Sequence, residues 1–189
     1  MRVLGISGTP RPGGNSEVLL DAALEPFREA GWDIDRILLS ESEILPCTGC
    51  ETCAGGNGCR ITGDGMDQVD HAMAACDAVI VASPVYWRNV PAQLKALFDR
   101  CYAERGNHPL RGKFGGAIAV GNGTSGGQAI VLTIIYNFFL SSGTLCVPGE
   151  LNGVSAVAGR PGDIRNQPNR LEQARVLARN IIFCAERKN

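Results

Sequence analysis

Four cysteines lie within 13 residues of the chain and could together bind a metal centre. Their spacing is Cys47-x2-Cys50-x2-Cys53-x5-Cys59, with glycines interspersed. Three thiolates at two-residue gaps can wrap one face of an iron–sulfur cluster, and a fourth after a flexible gap can close it. Structural zinc also takes four thiolates, but usually as two pairs separated by a longer finger. The pattern therefore favours an iron–sulfur cluster, with zinc, a disulfide switch and unmetallated thiols as alternatives.

A second candidate site is the segment 7–16, which reads Ser-Gly-Thr-Pro-Arg-Pro-Gly-Gly-Asn-Ser. It stands between a predicted strand and a predicted helix, where backbone N–H groups, hydroxyls and the helix dipole can bind an anion. A nucleoside triphosphate loop needs Gly-x4-Gly-Lys-Ser/Thr. Gly8 and Gly13 have this spacing, but Gly14 and Asn15 stand where the lysine is required. The segment therefore predicts a phosphate site without triphosphate chemistry; the alternative is a plain turn before the helix.

Two further loops follow predicted strands and suit a flat ligand. The segment 83–87 reads Ser-Pro-Val-Tyr-Trp, whose aromatic rings could form a wall for such a ligand or a lid over the sheet. The segment 121–128 contains Gly-x-Gly-x-x-Gly, but it follows the fourth strand and no acidic residue stands about 20 residues later, so it is a weak dinucleotide fingerprint. Its glycines are better used to let the backbone approach a ring closely.

The pattern of apolar residues predicts the elements that position these segments. The predicted strands are 2–7, 33–39, 78–82, 114–120 and 144–147, and the predicted helices are 16–30, 66–75, 91–101, 128–140 and 171–185. Strands that alternate with helices predict a doubly wound α/β sheet. We expect a single domain over 1–189, with 33–39 at a sheet edge and a cysteine-rich insert at about 45–60. The segment 148–170 has little periodicity, and we interpret it as an oligomer contact or a lid.

Composition limits the class of protein. The chain has 189 residues, about the length of one domain, and 18 Lys and Arg against 19 Asp and Glu give a net charge of −1. This balance gives no excess of positive charge that would attract nucleic acid or an anionic membrane. The longest apolar stretch, 129–140, is too short to span a bilayer, and no secretory signal is visible. We therefore expect a cytoplasmic protein.

The remaining cysteines and the histidines are predicted to have structural roles. Four cysteines stand singly in apolar segments and should be core residues, because a free cysteine behaves as a small buried hydrophobe. They are Cys76, Cys101, Cys146 and Cys184. His71 and His108 lie away from the three loops and are expected to be surface or capping residues. No catalytic side chain is predicted.

These motifs together resemble the iron–sulfur flavoproteins, a branch of the NADPH-dependent FMN reductase family. The resemblance rests on the segments 7–11, 14–16, 83–86, 95–100 and 125–128 and on the four-cysteine run, in the family's order. It implies a flavodoxin-like fold with a five-stranded parallel sheet of order 2-1-3-4-5 and helices on both faces. It also implies FMN, a 4Fe-4S cluster, NAD(P)H as an electron donor, and a homo-oligomer, dimeric or tetrameric.

The resemblance also assigns site residues. The FMN phosphate would contact Ser7, Thr9, Arg11, Asn15 and Ser16. The isoalloxazine and ribityl chain would be flanked by Pro84, Val85, Tyr86 and Trp87 and bordered by Gly121, Asn122, Ser125 and Gly126. The cluster ligands would be Cys47, Cys50, Cys53 and Cys59.

The expected function is electron transfer between the cluster and FMN, with a redox partner protein or a small-molecule acceptor. Because the cysteine insert follows an edge strand, we expect the cluster of one subunit to approach the flavin of a neighbour. Three alternatives remain open: an NAD(P)H-dependent FMN or quinone reductase without a cluster, a flavin dehydrogenase of a cyclic metabolite, and a zinc or thiol redox-sensing module.

Overall fold

A computed structural model describes residues 1–188, in which strands and helices alternate along most of the chain. The strands are β1 Arg2–Ser7, β2 Asp33–Leu38, β3 Ala78–Pro84, β4 Phe114–Gly121, β5 Leu145–Cys146 and β6 Val154–Val157. The helices are α1 Asn15–Glu29, α2 Met66–Ala75, α3 Ala92–Arg100, α4 Gly127–Ser141 and α5 Pro168–Glu186. Single 3-10 turns lie at Thr52–Gly55, Cys101–Glu104 and Asp163–Asn166. None of the helices in the described part of the chain is long and apolar enough to cross a membrane.

The sheet is parallel with the order β2-β1-β3-β4-β5, as the resemblance implied, and β2 lies at its edge. Leu19 of α1 and Leu177 of α5 belong to the apolar core on one face. Val69 of α2, Leu94 of α3 and Ile135 of α4 belong to the core on the other face. The central strands are buried on both sides, which explains their almost continuous apolar sequence. The prediction of a flavodoxin-like doubly wound sheet is confirmed.

The fifth strand position differs from the prediction. Two short strands occupy it: β5 pairs with the start of β4, and β6 pairs with its end. The segment 148–170, predicted to lack regular structure, therefore contains β6, a 3-10 turn and the start of α5. In β6 only Val154 and Ala156 point into the core, and four residues of alternation are too few to stand out in a sequence.

The isolated cysteines are less uniform than predicted. Cys76 is buried, and Cys101 and Cys184 are half-buried against the core. Cys146 is exposed, so its assignment to the core was wrong. It lies in the two-residue strand β5, whose residues are both exposed.

Candidate functional site

A cleft lies at the carboxyl edge of the sheet, where the loops after β1, β3 and β4 meet. Parallel strands bring their carboxyl ends to the same edge, and ligands of open α/β sheets bind there. Three loops and one further segment, 158–161, line the cleft. The lining residues are Thr9, Arg11, Gly14, Asn15, Ser16, Pro84, Val85, Tyr86, Val120, Gly121, Asn122, Ala158, Gly159 and Pro161.

The first loop places unpaired polar groups at the start of α1. Ser16 is 1% exposed, and its Oγ has no hydrogen-bond partner within the described residues. The first N–H groups of a helix also have no intrahelical acceptor. Thr9 Oγ1 accepts a hydrogen bond from Arg11 N at 3.2 Å, and a Cβ on Gly14 would lie 2.9 Å from that same oxygen. This end of the cleft is therefore lined by polar groups, and a side chain at position 14 would crowd Thr9.

A buried carboxylate braces this first loop. Glu17 Oε2 accepts a hydrogen bond from Gly13 N at 3.1 Å, while Glu17 Oε1 lies 3.1 Å from Arg36 Nη2 on β2. The ion pair with Arg36 offsets the negative charge of Glu17, which directly follows Ser16 in the chain. Glu17 could not be recognised from the sequence, because its partner Arg36 is 19 residues away in the chain.

Asn15 holds the further segment 158–161 against the cleft. Its Nδ2 donates to Arg160 O at 2.8 Å and to Ala158 O at 3.4 Å, and its Oδ1 accepts from Ile164 N at 3.2 Å. The amide group is therefore already hydrogen-bonded on both sides, and the phosphate contact expected for Asn15 stays a prediction. The role of the segment 158–161 in the cleft is not visible in the sequence, because Asn15, which holds Arg160 of this segment, lies 145 residues earlier in the chain.

The second loop is a strained turn. Tyr86 and Asn89 exchange two backbone hydrogen bonds of 2.8 and 2.9 Å, and the residues between them, Trp87 and Arg88, have φ values of 48° and 62°. Positive φ at both central positions of a turn is normally found for Gly, Asn or Asp. Other residues are strained in this conformation and keep it only where the surrounding structure enforces it. The Trp87 side chain is 99% exposed.

Side chains join the third loop to its neighbours. Arg88 Nη2 donates to Ser125 O, linking the second and third loops. Gln128 Nε2 donates to Gly123 O at 2.8 Å and to Ala156 O of β6 at 3.3 Å. Loops two and three are therefore fixed relative to each other and to the sheet without a ligand.

The cysteine loop follows β2 and ends before α2. All four of its cysteines are free thiols; Cys47 and Cys50 are exposed, and Cys53 and Cys59 are half-buried. Gly49 N donates to Cys47 Sγ at 3.4 Å. Hydrogen bonds from the Thr52 side chain and backbone lower the pKa of the exposed Cys50 thiol to about 7.

The model of the NADPH-dependent FMN reductase family matches residues 1–157 of this chain. The chain belongs to this family. It is 40% identical over 185 residues to an iron–sulfur flavoprotein of Methanocaldococcus jannaschii, covering 96% of this chain and 95% of the relative. It is 39% identical over 164 residues to an iron–sulfur flavoprotein of Methanosarcina thermophila, covering 86% and 85%. A solved structure of similar fold is the NAD(P)H:quinone oxidoreductase from Methanothermobacter marburgensis, with a TM-score of 0.71, 21% identity and 96% of each chain covered.

As a member of the FMN reductase family, the chain is a flavin-dependent oxidoreductase, and its cleft has the features that FMN needs. The unpartnered Ser16 hydroxyl and the start of α1 suit the phosphate, and the two interlocked loops suit a flat ring. Nine of the thirteen predicted cofactor residues line the cleft. Trp87 and Ser125 line an adjoining cavity that shares Val85, Gly121 and Asn122 with it. Ser7 and Gly126 line neither cavity; Ser7 Oγ is buried at the end of β1 without a partner, and Gly126 precedes α4 with a φ of 83°.

The cysteine loop fits a cluster by its donor chemistry. Four free thiols, one of them with a lowered pKa, and an N–H donated to sulfur suit iron–sulfur ligation. The thiols are not drawn together, however: the part of the chain that the structure describes contains no group of three or more His, Cys, Asp or Glu side chains arranged to hold a metal ion. The donor set is therefore present, and its convergence would have to accompany metal binding.

Proposed function

We propose that this flavin-dependent oxidoreductase binds FMN in the cleft and a 4Fe-4S cluster on its four-cysteine loop, and that it passes electrons between the two. The observation that carries the proposal is that a chain of the FMN reductase family has both a cleft at the carboxyl edge of its sheet and, elsewhere on the chain, one loop with four free thiols. Relatives named iron–sulfur flavoprotein, 39 and 40% identical, support it.

Different residues of the chain would bind the phosphate of FMN, its ring and the cluster. Ser16 Oγ and the first N–H groups of α1 would donate to the phosphate, and the exposed Arg11 would pair with its charge. Tyr86 and the fixed loops around Asn122 would hold the flat ring and exclude water from one side. Cys47, Cys50, Cys53 and Cys59 would bind the cluster as thiolates. When bound, the flavin supplies both two-electron and one-electron chemistry, and the cluster supplies single-electron transfer.

We further propose that a homo-oligomer brings the cysteine loop of one subunit near the flavin of another. The position of the loop after the edge strand β2, rather than at the centre of the sheet, supports this. A redox partner or a small-molecule acceptor would take the electrons. Light scattering of the purified protein should give the mass of a dimer or a tetramer; the mass of a single chain would overturn the oligomer.

Metal and flavin analysis of anaerobically purified protein tests the main proposal. We expect iron and labile sulfide in about equal amounts together with FMN. Cys50→Ser should lose the iron and keep FMN, because the cysteine loop and the cleft share no lining residue. Cys146→Ser, which removes an exposed thiol outside the loop, is the matched control and should keep both. Zinc in place of iron, or equal iron in the two variants, would contradict the proposal.

A second candidate is an NAD(P)H-dependent FMN or quinone reductase that works without a cluster. The match to the NADPH-dependent FMN reductase family, and the fold shared with a quinone oxidoreductase, support it. In that case the wild-type protein would contain FMN without iron. Its quinone reduction with NAD(P)H would then be the same in the wild type and in Cys50→Ser.

A further inference from the structure

Two arginines outside the cysteine loop hold it at three points. The first is Arg100, at the end of α3, whose side chain is 1% exposed. Its Nη1 donates to Leu45 O at 3.0 Å, and its Nη2 donates to Ile61 O at 2.9 Å. Leu45 lies two residues before the first cysteine of the loop, and Ile61 lies two residues after the last. One guanidinium therefore joins the two ends of the loop.

Asp64 completes this anchor. Its carboxylate, 6% exposed, lies 2.8 Å from Arg100 Nη1, and it accepts hydrogen bonds from Leu45 N at 2.9 Å and from Met66 N at 3.1 Å. A buried ion pair is by itself weak support for stability, because desolvation offsets much of the attraction. Its use here is geometric: it fixes where the loop leaves the sheet and where it returns to α2.

The second arginine, Arg105, holds the middle of the loop. It stands just after the 3-10 turn Cys101–Glu104, and its guanidinium lies 4.3 Å from the centre of the Tyr102 ring. Nη1 donates to Cys53 O at 3.0 Å, and Nη2 donates to Ala54 O at 2.9 Å. The third cysteine of the run is thus tied through its own backbone to a neighbouring element.

Arg105 also brings a positive charge into the cysteine loop, because its guanidinium contacts the backbone carbonyl of Cys53. Arg100, by contrast, is paired with the Asp64 carboxylate, so that pair adds no net charge to the loop. Arg100 Nε is buried and has no partner within the described residues. Four thiolates would concentrate negative charge in this loop, and charge and hydrogen bonding around sulfur ligands set the potential of a cluster.

We propose that Arg100, paired with Asp64, and Arg105 are positioning residues for the cluster: both preorganise the cysteine loop for ligation, and Arg105 also offsets the charge of its thiolates. Between its anchors the loop has one 3-10 turn as regular structure, so ordering it would otherwise cost conformational entropy when the ligands assemble. This inference rests on the proposed cluster. It concerns residues that supply no ligand atom.

Arg105 offers the cleaner test, because its removal leaves no buried charge unpaired. Arg105→Met and Arg105→Lys are compared with Arg175→Met, which breaks an ion pair between α5 and Glu25 of α1 instead. After anaerobic reconstitution with iron and sulfide, loss of iron to a ferrous chelator should be about tenfold faster in Arg105→Met than in the wild type. Arg105→Lys should lie between the two, and Arg175→Met should match the wild type.

Two further measurements separate positioning from a general loss of structure. In metal-free protein, amide exchange across 45–61 should speed up in Arg105→Met and nowhere else, with FMN content unchanged. The reduction potential of the cluster should fall in Arg105→Met, because a positive charge is lost, and stay near the wild-type value in Arg105→Lys. Arg100→Lys keeps the positive charge but cannot donate to both Leu45 O and Ile61 O from two guanidinium nitrogens. It should therefore also speed up amide exchange at 45–61.

Different outcomes would overturn the positioning role and the proposed cluster. A wild-type chain that takes up no iron would overturn both the cluster and the positioning role. A wild-type chain that binds the cluster, with unchanged iron loss and potential in Arg105→Met, would overturn the positioning role alone.

Discussion

Asn15 offers a direct test of how the cleft is built. The resemblance assigned it to the phosphate, whereas the structure bonds its amide to Ala158, Arg160 and Ile164. We predict that Asn15→Ala loosens the segment 158–164 and speeds up FMN release as a consequence. Three residues of that segment line the cleft, so opening it removes one wall.

The size of the effect follows from the three hydrogen bonds. Each is worth about 0.5–1.5 kcal/mol net, and the one at 3.4 Å contributes least, so their loss should cost about 2 kcal/mol. That corresponds to a roughly 30-fold rise in the open population of the segment. The affinity for FMN should fall less, because a segment that is still mostly closed leaves most molecules competent to bind.

Hydrogen exchange of the FMN-free protein measures the opening, and stopped-flow fluorescence measures FMN release. Asn180→Ala is the matched control: Asn180 Nδ2 donates to Pro148 O at 2.9 Å and Gly149 O at 3.3 Å, in the same connection but away from the cleft. It should change neither exchange at 158–164 nor FMN release. Slow, wild-type exchange at 158–164 in Asn15→Ala, combined with weaker FMN binding, would refute the reasoning and return Asn15 to direct phosphate contact.

Two other changes probe the cleft and the stability of the fold. Arg11→Ala should weaken FMN binding by about 1.5–3 kcal/mol, the range for a hydrogen bond to a charged group; an unchanged Kd in a fluorescence titration would remove Arg11 from the phosphate site. Burial and the nearby charge of Glu104 raise the pKa of Asp70 to about 6, so its ionisation opposes folding above that pH, and this cost disappears as pH falls toward 4. Asp70→Asn should therefore stabilise the protein at pH 7.5 by about 1 kcal/mol, less than the full shift implies because the side chain is only half-buried, with a smaller gain at pH 4.5. Urea unfolding at the two pH values checks this, and a variant that is less stable at both would contradict it.

The sheet and its ligand edge were predictable because they depend on local patterns. Buried parallel strands are continuous apolar runs, and glycine-rich or aromatic loops directly after β1, β3 and β4 must share one edge. The cysteine spacing is likewise visible in the sequence itself. These features need no knowledge of which distant residues meet.

The remaining features depend on contacts between distant residues. Asn15 pairs with Arg160, 145 positions away, and Arg100 pairs with Asp64, 36 positions away. The residue types at these positions do not indicate which partners they bind. The turn at 86–89 could not be predicted for a different reason. Trp and Arg rarely adopt positive φ, so the residue types of Trp87 and Arg88 disfavour the turn conformation that the fold imposes on them.

The two proposed cofactor sites differ in how complete they are in the protein alone. In the cleft, Asn15, Arg88 and Gln128 already join the loops to each other and to β6, so FMN would enter a formed site. In the cysteine loop, Arg100 and Arg105 fix the ends and the middle while the thiols in the described residues stay apart. Ligation would therefore have to complete the ordering of the loop, as is usual where metal binding is coupled to folding. If the proposed cluster forms, FMN should bind independently of it, and cluster assembly should be the step most sensitive to substitutions outside the ligands.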